Sequence, residues 1–327
     1  MRSSLLAFDR ISNDSDFKEH TLALFQYQFE HNAVYRSYCD LININPSDVK
    51  EINDIPFLPI QFFKSHTVCS SPNTPTNYFE SSGTSGQIRS KHYVVDYSIY
   101  HKSFEKGFEL FYGSIEDYTL IALLPSYLER DHASLVYMAN ELIQQTKQPL
   151  SGFYLDEWDK LKVTLDRLEE KGQKTILLGV TFALLEAAEK FSWNLNHTLV
   201  METGGMKGMR KEWVRTALHQ HLKDRYGVHN IHAEYGMTEL FSQAYSNGDG
   251  IFYSPPWMKV LTRAPEDPFE IQPIGKTGGL NIIDLANIDS CAFIATQDLG
   301  KLYKDGSFEV LGRFDQAEVR GCNLMVV

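Results

Sequence analysis

The chain has 327 residues, and 43 % of them are hydrophobic, which is enough apolar material for one large domain or two ordinary ones. Its net charge of −11, from 31 basic and 42 acidic residues, argues against a surface that binds nucleic acid. The longest apolar stretch is too short for a membrane span and the N-terminus lacks the apolar run of a signal peptide, so we expect a cytoplasmic protein.

The first part of the chain is predicted to be helical and then extended. Apolar residues recur at helical spacing over 14–40, which predicts one or two helices. The proline-containing stretch 55–63 is expected to be extended. Two short strands, at 78–79 and 91–95, are predicted to flank a run of small residues at 81–86.

Strands and helices are predicted to alternate in the middle of the chain. Short apolar runs indicate buried strands, and the stretches between them have the composition of helices. This alternation predicts a parallel α/β sheet, with a ligand at the carboxyl ends of its strands. The predicted strands are 119–124, 175–178, 198–201 and 230–234, and the predicted helices are 98–111, 134–145, 157–171, 181–191 and 211–226.

Shorter β segments follow residue 250 and end in a hairpin with an Asp305-Gly306 turn. The elements together predict four consecutive parts of the chain. These are an N-terminal helical segment at 1–54, an α/β core at 55–250, a small β subdomain at 251–315 and a C-terminal tail at 316–327.

The run of small residues, Ser81-Ser-Gly-Thr-Ser-Gly86, has the composition of a phosphate-binding loop. Small side chains leave backbone N–H groups and hydroxyl groups free to surround anionic oxygens. The loop differs from the P-loop of kinases and GTPases, because its basic residues, Arg89 and Lys91, come later and no Gly-Lys-Ser/Thr ending is present. A flexible serine- and glycine-rich linker is the alternative interpretation.

Two predicted strands end in chemically distinctive sequences. Glu202-Thr-Gly-Gly205 follows one strand, and its glycines would let a flat ring approach the backbone. Tyr235-Gly-Met-Thr-Glu239 follows another, with a ring for stacking, a hydroxyl for a phosphate oxygen and a carboxylate for Mg²⁺. Ordinary strand-to-helix turns are the alternative for both.

Four stretches in chain order resemble the core motifs of the acyl-adenylate-forming superfamily, which includes acyl-CoA synthetases, luciferases and peptide-synthetase adenylation domains. The form of the loop, Glu202-Thr-Gly-Gly-Met-Lys and the ending Glu-Val-Arg-Gly-Cys are most similar to the acyl-protein synthetases of bacterial bioluminescence. The resemblance runs from about residue 55 to the last residue. The four stretches are Ser81–Gly86, Tyr235–Glu239, Thr296-Gln-Asp-Leu-Gly300, and Gly312-Arg-Phe-Asp315 followed by Arg320-Gly321.

The resemblance implies an adenylate-forming large domain, an α/β fold with mostly parallel sheets flanked by helices, plus a small β subdomain. It implies that the core at 55–250 binds the nucleotide and the acyl group, and that the tail at 316–327 carries the candidate acyl-acceptor cysteine. It also implies that the mobile C-terminal domain of the superfamily, which bears a lysine that aids adenylation, is absent from this sequence. The usual lysine of the loop is replaced by Arg89 or displaced to Lys91. We therefore expect Arg89, Lys91 or a partner chain to supply the missing positive charge.

The resemblance also implies the roles of individual residues. The loop would hold the phosphates of ATP, Thr238 would contact the α-phosphate and Glu239 would bind Mg²⁺. Asp298 would bind the ribose hydroxyls, and Arg313 would contact ribose or phosphate. The implied nucleotide-binding residues are Ser81, Ser82, Gly83, Thr84, Ser85, Gly86, Arg89, Lys91, Gly204, Gly205, Tyr235, Gly236 and Asp298.

Cys322 is implied to be the acyl acceptor, since enzymes of that family pass an activated fatty acid to a cysteine near their own C-terminus. The chain has 4 cysteines, without the spacing of a zinc site or a disulfide framework. The neighbouring Arg320 would raise the thiolate fraction of Cys322. An incidental thiol in a frayed tail is the alternative.

The implied function is ATP-dependent activation of a carboxylic acid, a fatty acid in particular, and its transfer to a protein thiol. Two alternatives stay open, an acyl- or aryl-CoA ligase of the phenylacetate type and a non-catalytic nucleotide-binding relic within a complex. A tethered thioester is useful only if another protein takes the acyl group. We therefore expect an acyl-accepting partner such as a reductase or transferase.

Overall fold

A computed structural model describes residues 2–73, 75–82, 88–124, 132–155, 157–204 and 214–314. None of its helices has the length and apolar composition of a membrane-spanning segment. The helices in this described part are α1 Arg2–Leu5, α2 Asp14–His31, α3 Ala33–Leu41, α4 Phe62–Ser65, α5 Tyr97–Tyr112, α6 Ser134–Thr146, α7 Trp158–Glu170, α8 Thr181–Lys190 and α9 Arg215–Tyr226.

The strands agree with those predicted from apolar runs and include several short strands that no pattern indicated. They are β1 Leu58–Pro59, β2 Tyr78–Glu80, β3 Lys91–Tyr93, β4 Thr119–Leu123, β5 Gly152–Phe153, β6 Thr175–Gly179, β7 Thr198–Glu202, β8 Ile231–Tyr235, β9 Ala244–Ser246, β10 Ile251–Phe252, β11 Met258–Arg263, β12 Thr277–Asp284, β13 Phe293–Leu302 and β14 Phe308–Arg313.

The chain folds into two compact units whose boundaries differ from the four consecutive parts predicted from the sequence. The first unit comprises Met1–Ser103, Met237–Ser242 and Tyr253–Val327, and the second comprises Phe104–Gly236 and Gln243–Phe252. The difference arises because the N-terminal helices share a core with the later β strands, a long-range contact that local patterns do not report.

The first unit is built on an antiparallel sheet in which β12 and β13 lie between β11 and β14. Strand β1 adds to it in parallel, with Leu58 opposite Ile294. The helices α2 and α3 cover the sheet through Phe25 and Tyr35, whose rings lie 6.2 Å and 5.8 Å from the ring of Phe293. The N-terminal helical segment is therefore part of the core of this unit.

Two asparagines are the N-caps of helices α2 and α3. Asn13 accepts a hydrogen bond from the N–H of Asp16 at the start of α2, and Asn32 accepts one from the N–H of Tyr35 at the start of α3. Asn32 is fully buried and also donates to the carbonyl of Ser290 at 2.9 Å. The Asn32 cap therefore fixes α3 to the segment that precedes β13, whereas Asn13 is exposed.

The second unit contains the predicted parallel α/β sheet. Its strand order is β5-β4-β6-β7-β8-β9, parallel from β5 to β8, and β9 is antiparallel to β8. Strands β4 and β6 are buried along their whole length, as their continuous apolar sequences predict. Gly179 pairs with Glu202 in the register of the sheet, so the carboxyl ends of β6 and β7 coincide.

The double role of Asn32 predicts unequal effects of removing the two caps. We expect Asn32→Ala to lower the free energy of unfolding by about 2 kcal/mol, because a helix cap and a buried tertiary hydrogen bond are lost together. Asn13→Ala should cost about 1 kcal/mol, since only the cap is lost. Urea unfolding followed by circular dichroism measures both, and equal losses would contradict the tertiary role of Asn32.

Candidate active site

The predicted phosphate-binding loop lies in the sequence between the two strands of a short hairpin of the first unit. Strands β2 and β3 pair with Glu80 opposite Lys91. The N–H of Ser81 donates to the carbonyl of Ser90 at 3.0 Å, and the N–H of Ser90 donates to the hydroxyl of Ser81 at 2.9 Å. The base of the loop is thereby held at Ser81 and Ser90. Ser82 follows and is exposed, and Gly83, Thr84, Ser85 and Gly86 lie outside the described residues.

A cleft of about 500 Å³ lies beside this hairpin. It contains both basic residues that the sequence predicted near the loop, Arg89 and Lys91, and it adds Lys64 and His66, which sequence reasoning missed. No pattern in the sequence linked α4 to the loop, because residues of α4 and of the hairpin come together only in the folded chain. We name this feature the basic cleft, and its lining residues are Phe63, Lys64, Ser65, His66, Thr67, Glu80, Ile88, Arg89, Lys91 and Tyr93.

The two predicted basic residues already have partners in the first unit. The Arg89 guanidinium donates to the carboxylate of Glu80, with 2.8 Å between Nη1 and Oε2. The Lys91 ammonium lies over the ring of Tyr78, 4.4 Å from its centroid. Arg89 is therefore paired with a carboxylate, whereas Lys91 lies against an aromatic face.

His92 on β3 joins the hairpin to Met237–Ser242, a short segment of the first unit that lies in the sequence between the two parts of the second unit. Its ring is fully buried, with Nδ1 2.9 Å from the carbonyl of Thr238 and Nε2 2.8 Å from the hydroxyl of Ser290. Burial lowers the pKa of His92 to about 4, against the smaller opposing effect of the Thr238 carbonyl. The ring is therefore neutral, and these partners assign the proton to Nδ1.

Glu239 lies against the base of the hairpin. Its side chain is buried and accepts a hydrogen bond from Ser90, while its backbone carbonyl accepts one from Asn287 at 2.8 Å. Burial raises the pKa of the Glu239 carboxyl, and the Ser90 hydrogen bond and the positive charge of Lys64 oppose that rise. The structure thus brings the loop base and the carboxylate of the Tyr235–Glu239 motif together.

Glu239 fits the carboxylate ligand of a magnesium ion that arrives with a nucleotide. Such an ion uses one or two protein carboxylates and completes its coordination with phosphate oxygens and water. Within the described part of the chain, no group of three or more His, Cys, Asp or Glu side chains could hold a metal ion. Glu239 can therefore supply one carboxylate to an ion whose other ligands are phosphate oxygens and water.

Asp298 and Arg313 lie opposite each other on β13 and β14. The Asp298 side chain is partly buried, and the exposed Arg313 donates to the side chain of Gln297 at 2.9 Å. Sequence reasoning missed a third charge here, Arg263. Burial lowers the pKa of its guanidinium, and the negative charge of Asp298 opposes that effect. The predicted ribose-binding pair is therefore adjacent, and a buried arginine supports it electrostatically.

The second unit holds the remaining predicted residues. Gly204 has a left-handed backbone, with φ +63°, and open space where a side chain would be, while Gly205 lies outside the described residues. The Tyr235 ring is partly exposed and lies 5.8 Å from the ring of Phe252. A Cβ added at the exposed Gly236 would collide with the carboxylate of Glu234, which explains the glycine at this position.

Two buried carboxylates near these glycines differ in their partners. Glu202 at the end of β7 accepts a hydrogen bond from Thr181 at 3.2 Å, and its other oxygen lies 3.0 Å from Nε2 of His219. Glu234 on β8 is buried as well, and burial raises its pKa to about 7. Glu202 therefore belongs to a hydrogen-bonded cluster, whereas Glu234 holds a proton near neutral pH.

The raised pKa of Glu234 predicts a pH-dependent stability. Folded Glu234 keeps a proton that the unfolded chain releases, so this carboxyl destabilises the fold increasingly as pH rises from 4.5 to about 7. Relative to the wild type, Glu234→Gln should gain about 3 kcal/mol across that interval. Urea unfolding at several pH values measures the gain, and the exposed Glu266→Gln is the control. Parallel pH profiles for wild type and Glu234→Gln would contradict the buried, protonated carboxyl.

Comparison with known proteins finds a similarity to one family over the first part of the chain. Residues 2–100 match the family model described as Acyl-protein synthetase, LuxE. The resemblance inferred from the motifs is confirmed by this match, which includes the β2–β3 hairpin and extends into the N-terminal helices, where no motif was recognised. Among curated proteins no match was found.

Solved structures of acyl-CoA ligases share the fold. A 2-hydroxyisobutyryl-CoA ligase in the postadenylation state, in complex with R3-HIB-AMP, is 13 % identical with a TM-score of 0.68, over 93 % of this chain and 69 % of that chain. ATP-bound MatB from Rhodopseudomonas palustris is 19 % identical with a TM-score of 0.53, over 72 % of this chain and 47 % of that chain. This chain thus spans about half the length of MatB. The predicted α/β class is confirmed.

Proposed function

We propose that this chain, whose first hundred residues match the acyl-protein synthetase family, activates a carboxylic acid with ATP and transfers the acyl group to a thiol. One observation carries the proposal. The base of the predicted phosphate loop is hydrogen-bonded through Ser90 to the buried carboxylate of Glu239, beside a basic cleft. A loop for phosphates, a carboxylate for Mg²⁺ and nearby cations are the groups that bind the triphosphate of MgATP.

These positions support the roles that the resemblance implies. Ser81 and Ser82 begin the phosphate loop, and Thr238, held through its carbonyl by His92, contacts the α-phosphate. Asp298 binds the ribose hydroxyls and Arg313 contacts ribose or phosphate. The roles of Gly204, Gly205 and Tyr235 at the adenine, and of Gly236 in binding the nucleotide, stay predictions from the sequence.

In the first proposed step, a carboxylate oxygen of the acid attacks the α-phosphorus of ATP. The bond from this phosphorus to the bridging oxygen breaks, its electron pair leaves with pyrophosphate, and an acyl-AMP mixed anhydride forms. A magnesium ion at Glu239 would neutralise phosphate charge. Because no proton is transferred, the protein acts by positioning the reactants and stabilising charge.

In the second proposed step, a thiolate attacks the acyl carbonyl and AMP leaves with the electron pair of the broken bond. Three of the chain's 4 cysteines, Cys39, Cys69 and Cys291, are buried, and burial raises the pKa of each thiol, to about 12 for Cys39. A high pKa leaves little thiolate at neutral pH. This supports Cys322, which lies outside the described residues, as the acceptor within the chain.

The adenylation step can be tested by exchange of labelled pyrophosphate into ATP. We expect exchange that depends on an added carboxylic acid, from a panel running from acetate to palmitate. Glu239→Gln should lower the exchange rate about 100-fold, because the magnesium-binding charge is lost while the buried shape is kept. The exposed Glu266→Gln is the matched control. Full exchange activity in Glu239→Gln would contradict the role of Glu239.

The acceptor can be identified from the mass of the intact protein after incubation with MgATP and the same acids. We expect an acyl-sized increment that hydroxylamine removes, present in wild type and Cys69→Ser and absent in Cys322→Ser. Exchange without an adduct, together with CoA-dependent turnover that survives Cys322→Ser, would favour the CoA ligase. ATP binding with neither exchange nor adduct would favour a nucleotide-binding relic.

A further inference from the structure

Lys64 is the third basic residue with a long side chain in the basic cleft, beside Arg89 and Lys91. The Arg89 guanidinium is held by Glu80 and the Lys91 ammonium by the ring of Tyr78. The Lys64 side chain is exposed and lines the cleft. Within the described ranges between residues 2 and 314, its ammonium group forms neither an ion pair nor a hydrogen bond. Of the three cations, Lys64 is the one that could bind an incoming anion without giving up another partner.

The backbone position of Lys64 is fixed by the residue before it. Phe63 is only 1 % exposed, and its ring packs edge-on against the ring of His92 at 5.8 Å. His92 in turn holds the carbonyl of Thr238, and its ring stacks on Phe241 at 4.5 Å. A short chain of buried contacts therefore ties α4 to the segment that bears Thr238 and Glu239.

Lys64 and the carboxylate that is proposed to bind Mg²⁺ adjoin the same hairpin. Lys64 lines the basic cleft together with Lys91 of β3, and the next residue of β3, His92, holds the carbonyl of Thr238, the residue before Glu239. A phosphate group in the cleft would accept hydrogen bonds from the Lys64 ammonium, and Glu239 would supply a carboxylate to its magnesium ion.

We propose that Lys64 binds the β- and γ-phosphates of ATP and stabilises the pyrophosphate that leaves during adenylation, an inference that rests on the proposed function. As the bond from the α-phosphorus breaks, its electron pair moves onto the bridging oxygen of pyrophosphate. Lys64 donates N–H hydrogen bonds to this growing negative charge and stays protonated throughout. The lysine thereby supplies the positive charge that the sequence predicted from Arg89, Lys91 or a partner chain.

Arg89 has a different role in this arrangement. Its ion pair with Glu80 lies within the β2–β3 hairpin, so it holds the two ends of the loop rather than the nucleotide. His66 is the other cleft residue that the sequence did not indicate. Its Nδ1 is hydrogen-bonded to the hydroxyl of Ser65, and its ring stacks on the ring of Phe62 with 5.0 Å between the centroids. These contacts stabilise the end of α4, next to Lys64.

The experiment compares the affinities of ATP and AMP for the full chain by titration calorimetry in the presence of Mg²⁺. Lys64→Met should weaken ATP binding about 10-fold, because a charge-assisted contact to the β- and γ-phosphates is lost. AMP binding should stay within about twofold, since AMP lacks those phosphates. Lys64→Arg should retain most of the ATP affinity. Lys304→Met, an exposed lysine of the same unit, is the control and should leave both affinities unchanged.

A second measurement follows the same variants in acid-dependent pyrophosphate exchange. Lys64→Met should raise the KM for pyrophosphate and lower the maximal rate about 100-fold, while the KM for the acid is unchanged. Equal losses of ATP and AMP affinity, or exchange kinetics in Lys64→Met like those of Lys304→Met, would overturn the role of Lys64 alone. A wild-type protein that bound neither nucleotide would overturn the proposed function and, with it, this inference.

Discussion

The buried ring of His92 is the contact on which the arrangement of the candidate site depends. Its two nitrogens bind the carbonyl of Thr238 and the hydroxyl of Ser290, and its faces and edges meet Phe241 and Phe63. Because the ring is neutral and shielded from water, each hydrogen bond is strong and replacing it with solvent is costly. One side chain therefore fixes the hairpin, helix α4 and the segment Met237–Ser242 relative to one another.

The same segment is held at its other end by a buried carboxylate. Asp284 accepts hydrogen bonds from the N–H groups of Phe241 and Ser242, both at 2.9 Å, and from the Ser242 hydroxyl at 2.6 Å. Burial raises the pKa of the Asp284 carboxyl, and these donors oppose the rise. Thr238 and Glu239 thus lie between two anchors, which suits a reaction in which the protein positions groups and carries no proton.

The N-terminal helices contribute to the site from a distance. Gln28 of α2 donates to the carbonyl of Asn287 at 2.7 Å and accepts from the N–H of Ala292 at 2.9 Å, and Asn32 holds Ser290. Asn287 and Ser290 in turn contact Glu239 and His92. This chain of contacts gives a physical reason why the family match spans both the helices and the hairpin. The N-terminal helices therefore hold Asn287 and Ser290, and these two residues hold Glu239 and His92.

Local patterns in the sequence determined most of the helices and strands, the parallel sheet and the order of the motifs, because periodicity and turn residues act between near neighbours in the chain. They predicted the hairpin turn at Asp305-Gly306, whereas the pairing of Asp298 with Arg313 on β13 and β14 was seen only in the structure. The pairing of strand β1, the joining of the N-terminal helices to the β sheet, and the place of Lys64 beside the hairpin were seen only in the tertiary structure. Only the tertiary structure decided which of the basic residues in the cleft has a partner. The reason is that charge pairing depends on the distance between groups in space and not on their separation along the chain.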